Sequence, residues 1–373
     1  MVQESKFKVA VIGGGPAGCM CAYFLQDKFD VTVFDKSSPL KTLLPTGAGR
    51  CNLAHAEYDF KELAKNYPRG EKFLYSVFSK FSTSDTIDFF ESIGVKTYIQ
   101  PDMRIFPVSN SAKDVREKFL KSLKKVKFLK EEVLEIDKGF SIVTNCGNYP
   151  ADFVIISIGG HSSYDFLRHL GLKIVPPKPA LTGLRTKEDF SSLSGVSING
   201  ILFTHKGISG PEVYKISSLK ARDDFPYKLR FDLIGEIDLQ CELNNNPQKS
   251  IKNLLSNYVP KSLGEFILKQ LHVNPDEKCH QINGALRDKI LNELRNFEVT
   301  VTSTVPDGEV VTAGGVDLKE INPKTMESKL LAGIYFCGEV MDIDGFCGGF
   351  NLQNCWSTAY VASQAVLERA LAF

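Results

Sequence analysis

Short β-branched runs, glycine-rich breaks and stretches with an apolar residue every three to four positions alternate along the N-terminal part of the chain. Phe7-Lys8-Val9-Ala10-Val11-Ile12 predicts a strand that breaks at Gly13-Gly14-Gly15-Pro16-Ala17-Gly18. Residues 19–26 then predict a helix, and Val31-Thr32-Val33-Phe34 a second strand ending on Asp35. Helical patterns follow near 58–66, 71–80 and 84–93, the last with Ser84 at its N-cap. Strand-like pieces at 95–99, 126–129, 132–137 and 140–144 suggest a small antiparallel sheet. Phe153-Val154-Ile155-Ile156-Ser157-Ile158, closed by Gly159-Gly160, is almost continuously apolar, as a buried parallel strand is.

The texture changes at Pro176, Pro177 and Pro179. The next 130 or so residues alternate strand-like stretches with helices near 248–257, 261–271 and 284–296. Glycine returns in Thr312-Ala313-Gly314-Gly315-Val316, and Gly333-Ile334-Tyr335-Phe336-Cys337-Gly338-Glu339 repeats the grammar of a strand with glycine at its carboxyl end. Gly345-Phe346-Cys347-Gly348-Gly349-Phe350-Asn351 leads into a helix with apolar residues at Leu352, Cys355, Trp356, Ala359, Ala362 and Val366. The predicted class is α/β: a Rossmann-like domain interrupted by a β-barrel-like plus helical insertion. The expected division is 1–178 with 308–373 for the discontinuous domain and 179–307 for the insertion, its helical part at about 245–296.

Composition narrows this only a little. The 373 residues are 43% hydrophobic and 24% charged, globular values that exclude disorder and fibrous classes. Lys plus Arg at 45 against Asp plus Glu at 44 exclude a globally basic binder, but a sum cannot see a patch. Lys113, Arg116, Lys118, Lys121, Lys124, Lys125, Lys127 and Lys130, opposed by Asp114 and Glu117, give +6 over 18 residues. Such a run is a solvated helix face or a phosphate-contacting patch for RNA. Nine cysteines include no CxxC pair, and the closely spaced Cys19 and Cys21 read as small core residues in a reducing cytoplasm. No secretory or membrane-spanning segment and no metal-ligand cluster is apparent.

The first forty residues carry the strongest chemistry. Strand, G-x-G-x-x-G, helix, strand and acid stand in order, with Asp35 22 positions after Gly13, close to the roughly 20 of a dinucleotide fingerprint. Gly13 permits the tight turn, Gly15 lets backbone approach a pyrophosphate, and Gly18 lets helix and strand pack closely. The helix N-terminus offers free N–H groups and positive potential. Asp35 can accept hydrogen bonds from a ribose diol, and Pro16-Ala17 after the glycines lean towards FAD. The helix after Gly349 could likewise stabilise the negative charge of a reduced flavin.

With these motifs in hand, the chain resembles the BaiN/RdsA family of FAD-dependent oxidoreductases, the aminoacetone oxidase family of FAD-binding enzymes. The resemblance runs nearly end to end, through GGGPAG at 13–18, TGAGRCN at 46–52, RIFPVSNSAKDV at 104–115, LSGVSINGILFTHKGISGPEV at 193–213, VTAGGV at 311–316 and TMESKLLAGIYFCGEVMDIDGFCGGFNLQN at 325–354. It implies FAD, reduced by NADH or NADPH. Gly13, Gly15 and Gly18 would hold the pyrophosphate, Asp35 the adenosine ribose, and Val133 the adenine through its backbone, with Pro16, Ala17 and Lys36 also at the cofactor. Arg50 and Asn52 would sit beside the flavin or diphosphate, and Gly159, Gly338 and Glu339 near the ribityl and diphosphate. Gly349, Asn351, Leu352 and Gln353 would meet the pyrimidine edge. Two departures stand out: a short loop after Gly160, and Cys347 where relatives often carry Thr or Ser.

The residues singled out for catalysis are His205, in a Thr/Gly/Ser-rich turn, and the thiols Cys347 and Cys51, which read either as packed thiols or, for one of them, as a proton donor opposite the flavin. The substrate implied by the resemblance is a uridine of 23S ribosomal RNA, reduced to dihydrouridine by hydride at C6 and a proton at C5. A small-molecule enone or amine is the rival. An FAD-containing RNA-binding or assembly factor without turnover is a third reading.

Overall fold

The computed structural model describes residues 7–137, 139–306 and 311–372. They fall into two compact units, within Met1–Lys178 plus Val311–Phe373 and within Pro179–Val310.

The first unit is built on a five-stranded parallel sheet in the order Ile334–Phe336, Phe153–Ile156, Lys8–Ile12, Asp30–Phe34, Lys127–Leu129. Its central strands are buried almost throughout, which is why they read as apolar runs rather than alternating ones. The helix Pro16–Leu25 and the C-terminal helix Phe350–Ala370 pack against each other. Trp356, Ala359, Ala362 and Val366 are buried in the core, with Leu352 and Cys355 packed at its margin. The Trp356 ring meets Phe90 at 5.2 Å and Phe119 at 6.2 Å between centroids, so one large aromatic side chain joins the helix to two other elements.

Several sequence expectations are corrected. The four strand-like pieces do not form one antiparallel sheet. Lys127–Leu129 closes an edge of the parallel sheet beside Asp30–Phe34. Thr97–Ile99 joins Arg104–Pro107 and Ala54–His55. Val133–Ile136 pairs with Ser141–Thr144, which pairs in turn with Asn148–Pro150. Strand partners are tertiary choices that a period-two pattern does not encode. The helix expected at 84–93 spans Thr83–Ser92, and its N-cap is Ser82, locked in a capping box with Asp85; two serines two positions apart compete, and the one three residues before the acid wins. The pattern at 248–257 contracts to Ile251–Leu255, preceded by a separate helix Leu239–Asn245.

The second unit carries a six-stranded antiparallel sheet in the order Ser197–Ile198, Ile201–Thr204, Gly207–Ser209, Leu184–Thr186, Phe297–Thr304, Tyr227–Phe231. It has its own apolar core, with Phe190, Phe203 and Phe297 at its centre and the helices Lys261–Gln270 and Gly284–Arg295 contributing to it.

Candidate cofactor site

The glycine turn at 13–18 is packed to backbone tolerance. A Cβ on Gly13 would lie 2.4 Å from the Ser157 carbonyl oxygen, and one on Gly18 would lie 2.0 Å from the Gly13 carbonyl oxygen. The Gly13 N–H donates to the Phe34 carbonyl at 2.8 Å, and the Ser157 hydroxyl donates to the carbonyls of Ile12 and Gly13. A Cβ on Gly15 meets only the Thr42 hydroxyl at 3.7 Å, so its backbone is the approachable one. Gly15 is the N-cap of Pro16–Leu25, Pro16 opens the helix, and no side chain caps it; its first-turn N–H groups are left for a ligand.

Asp35 is oriented before any ligand arrives. Its Oδ2 accepts from the Gly14 N–H at 2.7 Å, and its Oδ1 accepts from the Ser37 N–H at 2.6 Å and hydroxyl at 2.8 Å. Lys36 beside it is exposed, and Val133 opens the strand Val133–Ile136.

The second glycine-rich segment is a strained turn. Gly47, Ala48, Gly49 and Cys51 all have positive φ, at 57°, 56°, 83° and 66°. Two of these residues carry a Cβ, a cost the surroundings must hold in place. The Arg50 guanidinium lies 4.3 Å from the centre of the Phe106 ring, and its Nε donates to the Gly47 carbonyl at 3.3 Å. Asn52 is 9% exposed, and its Oδ1 is buried without a hydrogen-bond partner. A buried orphan acceptor in such a loop fits a bound donor-bearing group better than a closed core.

The third part lies at the start of the C-terminal helix. Gly349 is its N-cap with φ 101°, no side chain caps it, and a Cβ there would lie 2.4 Å from the Ala54 carbonyl. Gly338, with φ 74°, opens the short 3-10 turn after the strand; a Cβ there would lie 2.8 Å from the Ala17 Cβ, and its N–H donates to the Thr358 hydroxyl at 2.9 Å. Glu339 accepts from the Thr312 N–H at 2.8 Å. Gly159 has φ 74° with open space at its Cβ position.

Two residues expected at the flavin edge have other work. The Gln353 side chain is fully buried; it donates to the Ser82 carbonyl and the Ser357 hydroxyl and accepts from Thr86. Asn351 brackets Gly345, accepting from its N–H and donating to its carbonyl, both at 2.8 Å. Both amides thus hold the helix start in shape. Leu352 is half-buried against the core. Of the two readings of Cys51 the structure has the packed thiol: its side chain is fully buried, and burial pushes its thiol up to about 12 despite a bond from Thr46, which makes it a poor acid at neutral pH. Cys347 is exposed, yet the protein packed around it pushes its thiol upward, opposed by Arg104. His205 belongs to the second unit, exposed on the turn between Ile201–Thr204 and Gly207–Ser209.

Other residues had no local signal at all. Tyr67 donates to the Phe350 carbonyl at 2.6 Å, and Trp356 Nε1 to the Leu53 carbonyl at 3.0 Å. Arg69 grips the fully buried Asp344 with a two-pronged ion pair. His55 Nδ1 lies 3.2 Å from the Gly348 carbonyl.

A parallel sheet with a glycine turn after its first strand that opens an uncapped helix is a Rossmann-like dinucleotide-binding arrangement. Residues 7–365 match the family model described as HI0933-like protein Rossmann domain, and the chain belongs to that family. It is 29% identical over 401 residues to the ribosomal RNA dihydrouridine synthase of Escherichia coli (strain K12), covering 97% of this chain and 98% of the relative. It is also 29% identical over 410 residues to the 3-dehydro-bile acid delta(4,6)-reductase of Clostridium scindens, covering 97% and 99%. Among solved structures, the open conformation of a flavocytochrome c3 fumarate reductase matches with a TM-score of 0.53 at 15% identity, over 99% of this chain and 79% of the other. The 3-ketosteroid delta1-dehydrogenase from Sterolibacterium denitrificans matches at 0.52 and 11%, over 98% and 100%. The protein is an enzyme of the FAD-dependent oxidoreductase class. Among the described residues no helix is long and apolar enough to cross a membrane.

Proposed function

We propose that the chain takes electrons from NADH or NADPH and reduces a uridine of 23S ribosomal RNA to dihydrouridine in the cytoplasm. The uncapped helix at Pro16 would hold the FAD diphosphate, Asp35 the ribose, the Arg50–Asn52 loop and Glu339 the middle of the cofactor, and the start of the C-terminal helix its pyrimidine edge. The orphan Asn52 Oδ1 is the observation that fits this group. When bound, FAD would supply hydride chemistry; the chain would orient it and stabilise the negative charge that develops on it.

The observation that carries the RNA reading is a lysine face on the first unit. Lys113, Lys121 and Lys124 are exposed on and just beyond the helix Ala112–Ser122, and the exposed Lys127 and Lys130 begin and follow the sheet-edge strand Lys127–Leu129. None of these five has an ion-pair partner among the described residues, whereas Lys118 pairs with Asp114 and Lys125 with Asp27. The helix packs against the glycine turn Thr46–Gly49, and Arg116 donates to the Pro39 carbonyl at 2.9 Å. Unneutralised charge beside the cofactor loop favours a phosphate backbone over an apolar small molecule.

Mass-spectrometric mapping of dihydrouridine in ribosomal RNA, with and without the gene, tests the reading. Loss of one dihydrouridine is expected; an unchanged map removes the RNA substrate. Reversing Lys113, Lys121 and Lys124 to Glu together should weaken rRNA binding and flatten its salt dependence while NAD(P)H still reduces the flavin. The equal similarity to a bile acid reductase keeps one second reading, an enone reductase, for which turnover would ignore those lysines.

A further inference from the structure

The peptide joining Gly348 to Gly349 sits at the mouth of the C-terminal helix and is flanked on both sides by glycine, with φ 136° at Gly348 and 101° at Gly349. Without a Cβ on either side, rotation of that peptide plane meets little steric resistance. Gly349 is anchored by its close approach to Ala54, which fixes where the turn lies without fixing which way this peptide faces.

One side chain fixes it. The His55 Nδ1 is 3.2 Å from the Gly348 carbonyl oxygen; a carbonyl can only accept, so Nδ1 carries the proton and donates. His55 is itself immobilised from three directions. Its own carbonyl accepts from the Thr83 hydroxyl at 3.1 Å, its strand position pairs with Arg104, and its ring lies on Phe350 with centroids 4.6 Å apart and planes tilted by 30°. In a planar trans peptide the C=O and the N–H point in opposite directions. Holding the Gly348 carbonyl therefore directs the Gly349 N–H away from His55, among the uncapped donors at the helix start.

We propose that His55 is a positioning residue: it latches the Gly348–Gly349 peptide so that the Gly349 N–H joins the helix-start donors presented to the flavin. This rests on the FAD reading above. An added N–H favours the reduced, negatively charged cofactor over the oxidised one, so the latch raises the affinity for reduced FAD relative to oxidised FAD.

The test separates the donor from the ring. His55→Phe keeps the ring on Phe350 and removes the donor; His55→Leu removes both; His55→Asn places an amide N–H near the Nδ1 position without the ring. Binding of oxidised and of reduced FAD to each variant gives the affinity ratio. A fall of about tenfold is expected in the Phe and Leu variants, the scale of one charge-assisted hydrogen bond, with recovery in the Asn variant. An unchanged ratio in a folded Phe or Leu variant, or an Asn variant that behaves like Phe, overturns the latch. Crystal structures of the wild type and the Phe variant without added cofactor give an independent readout: a turned or doubled Gly348–Gly349 peptide in the variant supports the latch, and one unchanged orientation overturns it. If the wild type binds no FAD, the cofactor reading fails by itself, and the peptide orientation still decides whether His55 is a latch.

Discussion

The two glycine-rich turns of the first unit do similar jobs by different means. The turn at 13–18 is held by its own strand–helix–strand neighbourhood and by Ser157 of the adjacent strand: Gly18 packs on Gly13, and Gly14 on Asp35. The turn at 345–349 is bracketed locally by Asn351 but is otherwise held, at Gly348 and at its two ends, by partners far away in sequence. Tyr67 reaches it across 283 positions, His55 across 293 and Arg69 across 275. A locally built turn can be recognised from spacing. A remotely built one can be recognised only as a run of glycines.

The comparison can be broken at several strengths. Gly18→Ala and Gly349→Ala should be the most damaging, each losing about 3 kcal/mol or more, because the new methyl meets backbone at 2.0 Å and 2.4 Å respectively, and at Gly349 φ is positive as well. Urea unfolding and FAD retention measure both. Asp344→Ala should cost about 3 kcal/mol by urea unfolding and release the second turn while sparing the first, since it leaves the Arg69 guanidinium nearly buried without its carboxylate.

Trp356→Phe keeps most of the packing but leaves the Leu53 carbonyl without its donor, an expected loss of about 1–2 kcal/mol in the same assay.

Alkaline pH should destabilise the fold, and Cys51 gives the sign. Its folded thiol is pushed up to about 12 by burial, whereas an unfolded thiol ionises near 8.5. Below the unfolded value both states are protonated and the full stability is present; above it only the unfolded state loses its proton, so stability falls as pH rises towards 12. Burial also raises Cys19, Cys337, Cys355 and Tyr67. Urea midpoints between pH 7 and 11 should decline, less steeply in Cys51→Ala. The smallest effect is expected at His205, exposed on its turn: His205→Ala should change stability by no more than about 0.5 kcal/mol and leave FAD content unchanged. Steady-state turnover of that variant then reports on substrate chemistry alone.

Much of the architecture was legible because its signals are local. Apolar runs marked the strands Lys8–Ile12 and Phe153–Ile156, and a 3.6-residue stripe marked the C-terminal helix with Trp356 on its buried face. Strand pairing was less legible: Lys127–Leu129 looks like its neighbours in pattern but lies in a different sheet. Polar side chains were the least legible. Asn351 and Gln353 have the chemistry to meet a cofactor edge, and nothing local shows that they also bond Gly345, Ser82, Ser357 and Thr86. A motif names the atoms a residue can offer; packing decides who receives them.

By itself, the sequence determined that this chain is an α/β protein with a dinucleotide turn beside Asp35, because glycine conformations, short apolar strands and a fixed spacing act over a few dozen residues. The tertiary structure alone decided how the second turn is held, that Cys51 is a buried thiol, and that His55 meets Gly348. Those facts depend on which distant segments come into contact, and no local pattern carries that information.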